Sequence, residues 1–148
     1  MLDKLSKTAI DNILCSQVIG RLACSDGKHA YIAPLTYVYD GENIYGPTTD
    51  ELQLKVLRKH PEVCFEVDTF LNMTTWQSVV IEGRFFELTD DEAAEAREIL
   101  CQRAFPLRTS HALHTYGHEA ENSTLPAIPE KHYFKISIGK ITGSTEHP

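Results

Sequence analysis

The chain has 148 residues, of which 42% are hydrophobic and 24% charged, enough for one domain with its own core. Its formal net charge of −7 excludes general attraction to nucleic acids or anionic membranes. No apolar run approaches the ~20 residues of a membrane-spanning helix, and the N-terminal stretch shows no signal-peptide core. The four widely spaced cysteines fit a reduced, cytoplasmic protein. We therefore expect one domain over residues 1–148, with no nucleic-acid or membrane partner.

The N-terminal third predicts a helix followed by hairpins. Ser6 can cap a first helix that packs through Ile10, Ile13 and Leu14. A strand over residues 20–25 then leads through an Asp26-Gly27 turn into a strand over residues 29–39. Alternation along that strand separates two faces, neither fully polar, so we expect both to be covered. The first face carries Tyr31, Ala33, Leu35, Tyr37 and Tyr39, and the second carries Ala30, Ile32, Pro34, Thr36 and Val38.

A second turn, Asp40-Gly41, returns the chain through a strand over residues 43–46 to a short helix over residues 50–59. Asp50 and Gln53 have the spacing of a capping box. Thr48 and Thr49 precede this helix start, where free backbone N–H groups can bind an anion such as a phosphate. Loop and capping chemistry alone is the alternative for both threonines.

The remaining chain adds two long strands, a helix and a final strand. Strands are predicted over residues 62–68 and 76–88, with Gly83 marking a kink or a close backbone contact. Thr89 and Glu92 form a capping box for a helix that ends near Arg103 and packs through Ala93, Ala96, Ile99 and Leu100. Residues 132–141 alternate as a final strand. The pattern favours a mainly β (α+β) fold, a small antiparallel β-barrel with about three flanking helices.

Residues 105–129 have no clear periodicity and contain His111, His114 and His118. On a helix this spacing would place the three imidazoles on one face, where they could bind a metal or haem iron. Gly117 and the surrounding Thr and Ser residues weaken the helix interpretation. Solvated loop histidines are therefore expected, and no metal site is predicted.

Three segments carry a resemblance to a known family. IGRLACSDGKHAYIAPLTYVYDGENIYG, KVLRKHPEVCFEVD and WQSVVIEGRFFELTD resemble the pyridoxamine 5′-phosphate oxidase-like, FMN-binding split-barrel family. The similarity is greatest to its small flavin-nucleotide-binding branch, which is related to nitroimidazole-resistance proteins. The resemblance implies a six-stranded antiparallel split β-barrel. It also implies a homodimer with FMN bound at the dimer interface.

The resemblance also assigns residues to the cofactor. The flavin is expected along the strand after Asp26-Gly27, the ribityl-phosphate at the end of the next strand and the helix start, and a second flavin wall on the Trp76 strand. The cofactor-binding residues are then Pro34, Leu35, Thr36, Tyr37, Gly46, Pro47, Thr48, Leu52, Gln53, Trp76, Ser78 and Val79. Packing alone is the alternative for Tyr37 and Trp76.

The chain departs from the family pattern at the phosphate end. Gln53 and Pro47 occupy positions where the family usually has Lys and often His, and Glu51 adds a negative charge. Lys55, Arg58 or Arg21 could compensate. We expect an FMN-dependent oxidoreductase acting on small flat electrophiles such as nitro compounds or quinones, with flavin chemistry and no protein nucleophile. The alternative is a non-catalytic flavin- or haem-binding module with a degraded phosphate clamp. In that case Lys at position 53 should raise FMN affinity.

Overall fold

The computed structural model describes residues 2–104 and 131–148. Its three helices are α1 (Lys7–Ser16), α2 (Glu51–Lys59) and α3 (Asp90–Ala104). The eight strands of these ranges are β1 (Leu2–Lys4), β2 (Ile19–Ser25), β3 (Ala30–Thr36), β4 (Val38–Tyr39), β5 (Asn43–Thr48), β6 (Glu62–Asn72), β7 (Thr75–Glu87) and β8 (His132–Glu146).

All strands belong to one antiparallel sheet with the order β3-β2-β6-β7-β8-β5-β4. The short strand β1 pairs with the C-terminal end of β8, on the same edge that β5 uses further along. The strands β3 and β5 face each other without pairing, so the sheet curls but does not close. This is the expected split barrel with three flanking helices. Six strands were expected, and the described part of the chain has eight because β1 and β4 are short additional pairings.

The two faces of the sheet differ sharply in burial. Residues such as Leu22, Phe65 and Ile81 point into the barrel and are fully buried. The residues between them point outward and form a surface that we call the outer face, which includes Ile32, Pro34, Glu66, Ser78 and Lys140. Ile32 is 70% exposed. The second face of β3, which was expected to be covered, is therefore open in a single chain.

Local sequence signals account for most element ends. Ser6 caps α1, where its side chain accepts a hydrogen bond from the Ala9 N–H, and Asp50 caps α2 in the same way. Gly41 has a φ of 98° in the predicted turn. Asp90, the first residue of α3, has a positive φ of 50°. The predicted Thr89–Glu92 capping box would give this residue the negative φ of a helix. Ile99 on that helix is exposed although it was expected to pack.

Gly83 lies where β7 approaches β8 most closely. A Cβ atom at this position would lie 2.5 Å from the backbone oxygen of Ser137, so no side chain fits. The pairing shifts register here, since Glu82 opposes Lys140 while Gly83 opposes Ile138, which leaves Gly139 as an extra residue. The predicted kink at Gly83 is therefore a β-bulge.

Two further findings concern the histidine segment and the length of the helices. The segment with His111, His114 and His118 lies outside the described residues. Among residues 2–104 and 131–148, none of the helices combines the length and the apolar character needed to cross a membrane.

Candidate functional site

The gap between β3 and β5 brings two groups of predicted residues together. Residues 34–36 lie on the edge strand β3, and Tyr37 comes directly after it. Residues 46–48 end β5 on the other side of the gap. A Cβ atom on Gly46 would lie 3.1 Å from Cδ1 of Leu35 and 2.8 Å from the Phe134 ring. Glycine therefore allows the two edges to approach each other. Unpaired edge strands also offer backbone N–H and C=O groups to a ligand.

The side chains of these residues do not all face the gap. Pro34 and Thr36 are exposed on the outer face, and Leu35 is half-buried. Tyr37 is 1% exposed, packs edge-on against Phe65 and donates its hydroxyl hydrogen to the carbonyl oxygen of Leu14 at 2.7 Å. Burial raises the pKa of Tyr37, so the phenol stays neutral. Tyr37 is a core residue whose contact with a ligand would use its backbone.

The start of α2 is capped by side chains of the same segment. The Asp50 carboxylate accepts a hydrogen bond from the Gln53 N–H at 3.1 Å, and Thr48 Oγ1 accepts one from the Asp50 N–H at 3.1 Å. The Gln53 side chain is buried at 2% exposure, and its Nε2 makes a long hydrogen bond of 3.5 Å to the carbonyl oxygen of Leu22. A carboxylate of the chain thus lies where an anion would meet the helix start.

The other predicted residues near α2 point in different directions. Thr48 is buried, Pro47 is half-buried on β5, and Leu52 is exposed on the solvent side of the helix. Glu51 contacts His132 at 3.2 Å. The immediate surroundings of the helix start are therefore acidic as well as capped.

Two of the three cations that could compensate are already paired. Arg58 makes two hydrogen bonds to the Glu87 carboxylate, at 2.8 and 2.7 Å, and this pairing lowers the pKa of Glu87. Arg21 lies on the outer face beside Glu66 and Asp68. Lys55 remains, exposed on α2. A lysine or arginine held against the helix start, as the resemblance would lead one to expect, is not found among the described residues.

Trp76 and Ser78 lie on β7, three strands away from β3 in the sheet. At about 4.8 Å per strand this separation is about 14 Å. Both side chains are half-buried on the outer face, and the Trp76 Nε1–H donates to Glu146 Oε2 at 2.7 Å. The neighbouring Val79 points into the barrel and is fully buried. One chain therefore holds the twelve predicted residues in two separate groups.

A polar cluster of Arg21, Glu66, Asp68 and Ser78 was not predicted. Ser78 Oγ donates to Glu66 Oε1 at 2.9 Å, and Arg21 Nη1 lies 3.4 Å from Glu66 and 3.2 Å from Asp68. Burial and the nearby Asp68 raise the pKa of Glu66, against the opposing effects of Ser78 and Arg21. Alternation along EVCFEVD hinted at this face, but the partners come from three strands.

An open cavity of about 750 Å³ lies further along the same outer face. Strands β2, β3, β6, β7 and β8 form it around the bulge at Gly83 and Gly139. Its lining comprises Ala23, Cys24, Ser25, Ala30, Glu62, Val63, Cys64, Glu82, Gly83, Arg84, Ser137, Ile138, Gly139 and Lys140. None of the twelve predicted residues contributes to this lining, so sequence reasoning missed the cavity. In the described ranges, no three His, Cys, Asp or Glu side chains are placed to hold a metal ion.

Comparison with known proteins identifies relatives of this fold. A FAD-binding protein of Mesorhizobium loti has a solved structure with a TM-score of 0.71 and 24% identity, covering 98% of both chains. A FAD-binding protein of Mycobacterium smegmatis has a TM-score of 0.65 and 19% identity, also covering 98% of both chains. A FAD- and haem-binding protein of the same organism has a TM-score of 0.67 and 16% identity, covering 99% of this chain and 72% of its own. These similarities establish a shared fold.

Sequence comparisons extend this result. An uncharacterized protein of Rhizobium meliloti (strain 1021) is 29% identical over 84 residues, so the match spans 57% of this chain and just over half, 56%, of that protein. A family model described as pyridoxamine 5′-phosphate oxidase matches residues 6–145, nearly the whole chain. The chain therefore belongs to the pyridoxamine 5′-phosphate oxidase family.

Proposed function

We propose that this protein binds FMN as a homodimer and acts as an oxidoreductase on small flat electrophiles such as nitro compounds or quinones. The observation that carries the proposal is the open gap between β3 and β5, whose free strand edges lie beside Pro34 and Thr36. A flavin ring needs apolar walls and a few backbone hydrogen bonds, and the unpaired N–H and C=O groups of the β3 edge support such hydrogen bonds. Family membership and the flavin-binding solved relatives support the same cofactor class.

The division of the predicted residues into two groups supports a dimeric site. Trp76 and Ser78 lie about 14 Å across the sheet from β3. A second copy docked on the outer face would bring its own Trp76 and Ser78 to the β3 edge. The exposed apolar side chains of Ile19, Ile32 and Phe70 on or beside this face fit such a contact.

The two ends of the cofactor fit the chain unequally. At the ring end, the unpaired edge of β3 and the exposed side chains of Pro34 and Thr36 suit a flavin. The phosphate end does not fit a dianion, because Asp50 already accepts the Gln53 N–H and Glu51 lies beside it. When bound, the flavin would supply hydride or electron transfer. The residues of this chain would bind and orient the ring, with Ser78 offering its oxygen as an acceptor while its hydrogen is held by Glu66.

The second candidate function is a non-catalytic module that binds flavin or haem. The self-capped helix start favours it, since weak phosphate binding would lower cofactor retention. The similarity to a FAD- and haem-binding protein of Mycobacterium smegmatis adds haem to the ligands worth testing.

The absorbance spectrum of the purified protein tests the proposal first. Flavin bands that bleach with reduced nicotinamide and recover with a nitroaromatic acceptor are expected. Titrations with riboflavin, FMN, FAD and haem then rank the ligands by quenching of the single tryptophan, Trp76. Flavin binding without any turnover would favour the non-catalytic module, and absence of binding by all three flavins would refute flavin function altogether.

A further inference from the structure

The cavity around the β7–β8 bulge lies beside the row of Pro34, a proposed flavin contact, and at the end of the outer face opposite Trp76. On the outer face, the row Ile32–Ala23–Cys64–Glu82–Lys140 neighbours the row Pro34–Arg21–Glu66–Val80–Thr142. Two residues along a strand span about 7 Å, so the two rows are about that far apart. The volume of about 750 Å³ lies within the range of small-molecule sites.

The cavity lining combines apolar surface with equal numbers of positive and negative side chains. Ala23, Val63 and Ile138 provide hydrocarbon surface. Two carboxylates, Glu62 and Glu82, and two cations, Arg84 and Lys140, contribute to the lining, so its formal charge sums to zero. Arg84 Nη1 is paired with Glu62 Oε1 at 2.6 Å. A charged ligand would lose hydration in such a cavity without a matching countercharge.

Both cysteines of the cavity lining, Cys24 and Cys64, have weakly reactive thiols. Burial, followed by the charges of Asp50 and Asp26, raises the pKa of Cys24. Burial, followed by Glu82 and Glu66, raises the pKa of Cys64. Because the thiolate is the nucleophile, both side chains present weakly reactive thiols. Such a lining tolerates an electrophilic molecule without being alkylated by it.

The serine hydroxyl groups of the lining can donate hydrogen bonds to a ligand. Ser25 Oγ accepts a hydrogen bond from the Gly27 N–H at 3.0 Å, which leaves its hydroxyl hydrogen to donate elsewhere. Ser137 adds a second hydroxyl to the lining. A ligand with acceptor oxygens, such as a nitro group or a quinone carbonyl, matches these donors.

We propose that the cavity binds a neutral, flat, aromatic compound that carries acceptor oxygens. That this compound is the substrate rests on the proposed flavin function, whereas its binding does not. The site therefore deepens the proposed function by restricting its substrates to neutral compounds and by giving them a place beside the flavin.

Calorimetric titration of the purified protein with three matched probes tests the proposal. The neutral 4-nitrobenzyl alcohol is expected to bind at least about tenfold more tightly than the anion 4-nitrobenzoate or the cation 4-nitrobenzylamine. Ala23→Leu, which places a larger side chain at a half-buried position of the lining, should abolish binding of the alcohol. Thr142→Leu, on the same face but outside the cavity, is the matched control and should leave binding unchanged.

Charge changes give a second readout that does not depend on the filling variant. Glu82→Gln leaves the lining with one excess positive charge and should improve 4-nitrobenzoate binding relative to the alcohol, while Lys140→Gln should do the opposite. Equal affinities for all three probes, or alcohol binding that survives Ala23→Leu, would overturn the proposal. Flavin titration of the same variants separates the flavin hypothesis from the cavity hypothesis. Intact flavin binding without probe binding would refute only the cavity assignment.

Discussion

The Asp50 carboxylate decides how α2 meets an anion. It accepts the Gln53 N–H at 3.1 Å and adds a negative charge where the family resemblance places a phosphate. Asp50→Ser keeps a side chain that can cap the helix while removing the charge. We expect the FMN affinity to rise by about tenfold relative to riboflavin, since about 1.4 kcal/mol of repulsion is removed. Fluorescence titration with both flavins measures the ratio.

Asp91→Ser is the control for this change, because Asp91 lies in the first turn of a different helix, α3. An FMN-to-riboflavin ratio that rises equally in both variants, or in neither, would contradict a phosphate site at α2.

The Gln53 side chain is not placed as the sequence led us to expect. Lysine at this position was expected to restore a phosphate clamp, but the side chain is buried and faces the carbonyl oxygen of Leu22. Gln53→Lys would bury a cation, so we expect it to cost about 2 kcal/mol and to lower the Tm by about 4–8 °C. Lys55→Gln, an exposed change on the same helix, should leave the Tm within about 1 °C. A Gln53→Lys protein that binds FMN tightly at unchanged Tm would show that the side chain turns outward.

Glu66 has a pH-dependent effect on stability whose sign follows from its environment. Its pKa is raised in the folded protein, so its favourable contribution is present at low pH and is lost as the pH rises through the folded-state pKa. Glu66→Gln cannot ionise. We therefore expect its Tm to exceed that of the wild type at pH 7 and the difference to shrink towards pH 4.

Thermal melts between pH 4 and pH 8 measure this difference. Glu62→Gln is the control, since Glu62 lies on the same strand and face but is exposed. A Tm difference for Glu66→Gln that stays constant with pH would contradict the assigned direction.

At the scale of elements, the bulge between β7 and β8 is tightly constrained. Gly83→Ala would place a Cβ atom 2.5 Å from the Ser137 oxygen, and the backbone cannot easily move away. We expect a loss of at least about 2 kcal/mol and a Tm lower by about 4–8 °C. Gly139→Ala is the comparison, because its Cβ would lie 3.2 Å from the Glu82 oxygen and should cost less. Equal melting temperatures for the two variants would argue against a rigid bulge.

Most helices and strands could be predicted from the sequence, but the ends of some strands could not. Ser6, Asp40-Gly41 and Asp50 act through neighbours in the chain, so their roles were visible in the sequence. β8 was predicted over residues 132–141 but runs to Glu146, because it pairs with both β1 and β7 there. β6 likewise extends to Asn72 rather than ending at residue 68. Strands far away in the chain extend β8, whereas β6 is extended by its hairpin with the next strand, β7.

At the scale of the whole molecule, the proposed homodimer uses the outer face for its contact. Phe70 is 68% exposed on β6, opposite Trp76, next to the proposed contact between subunits. Phe70→Asp should shift the protein from dimer to monomer and lower flavin affinity in parallel, because the proposed site needs both copies. Sedimentation velocity and flavin titration measure the two effects. Ile99→Asp, an exposed change on α3, should alter neither. A dimer that persists in Phe70→Asp would place the interface elsewhere.

The sequence by itself determined the order of elements, the hairpin turns, the helix caps and the family, because each depends on short segments read in order. The tertiary structure decided which side chains face inward, since that depends on pairing between strands far apart in the chain. It placed Tyr37, Gln53 and Val79 in the interior and assembled the Glu66 cluster and the cavity from separate strands. A residue type can suggest a ligand contact, but only the register of the sheet determines which surface that residue reaches.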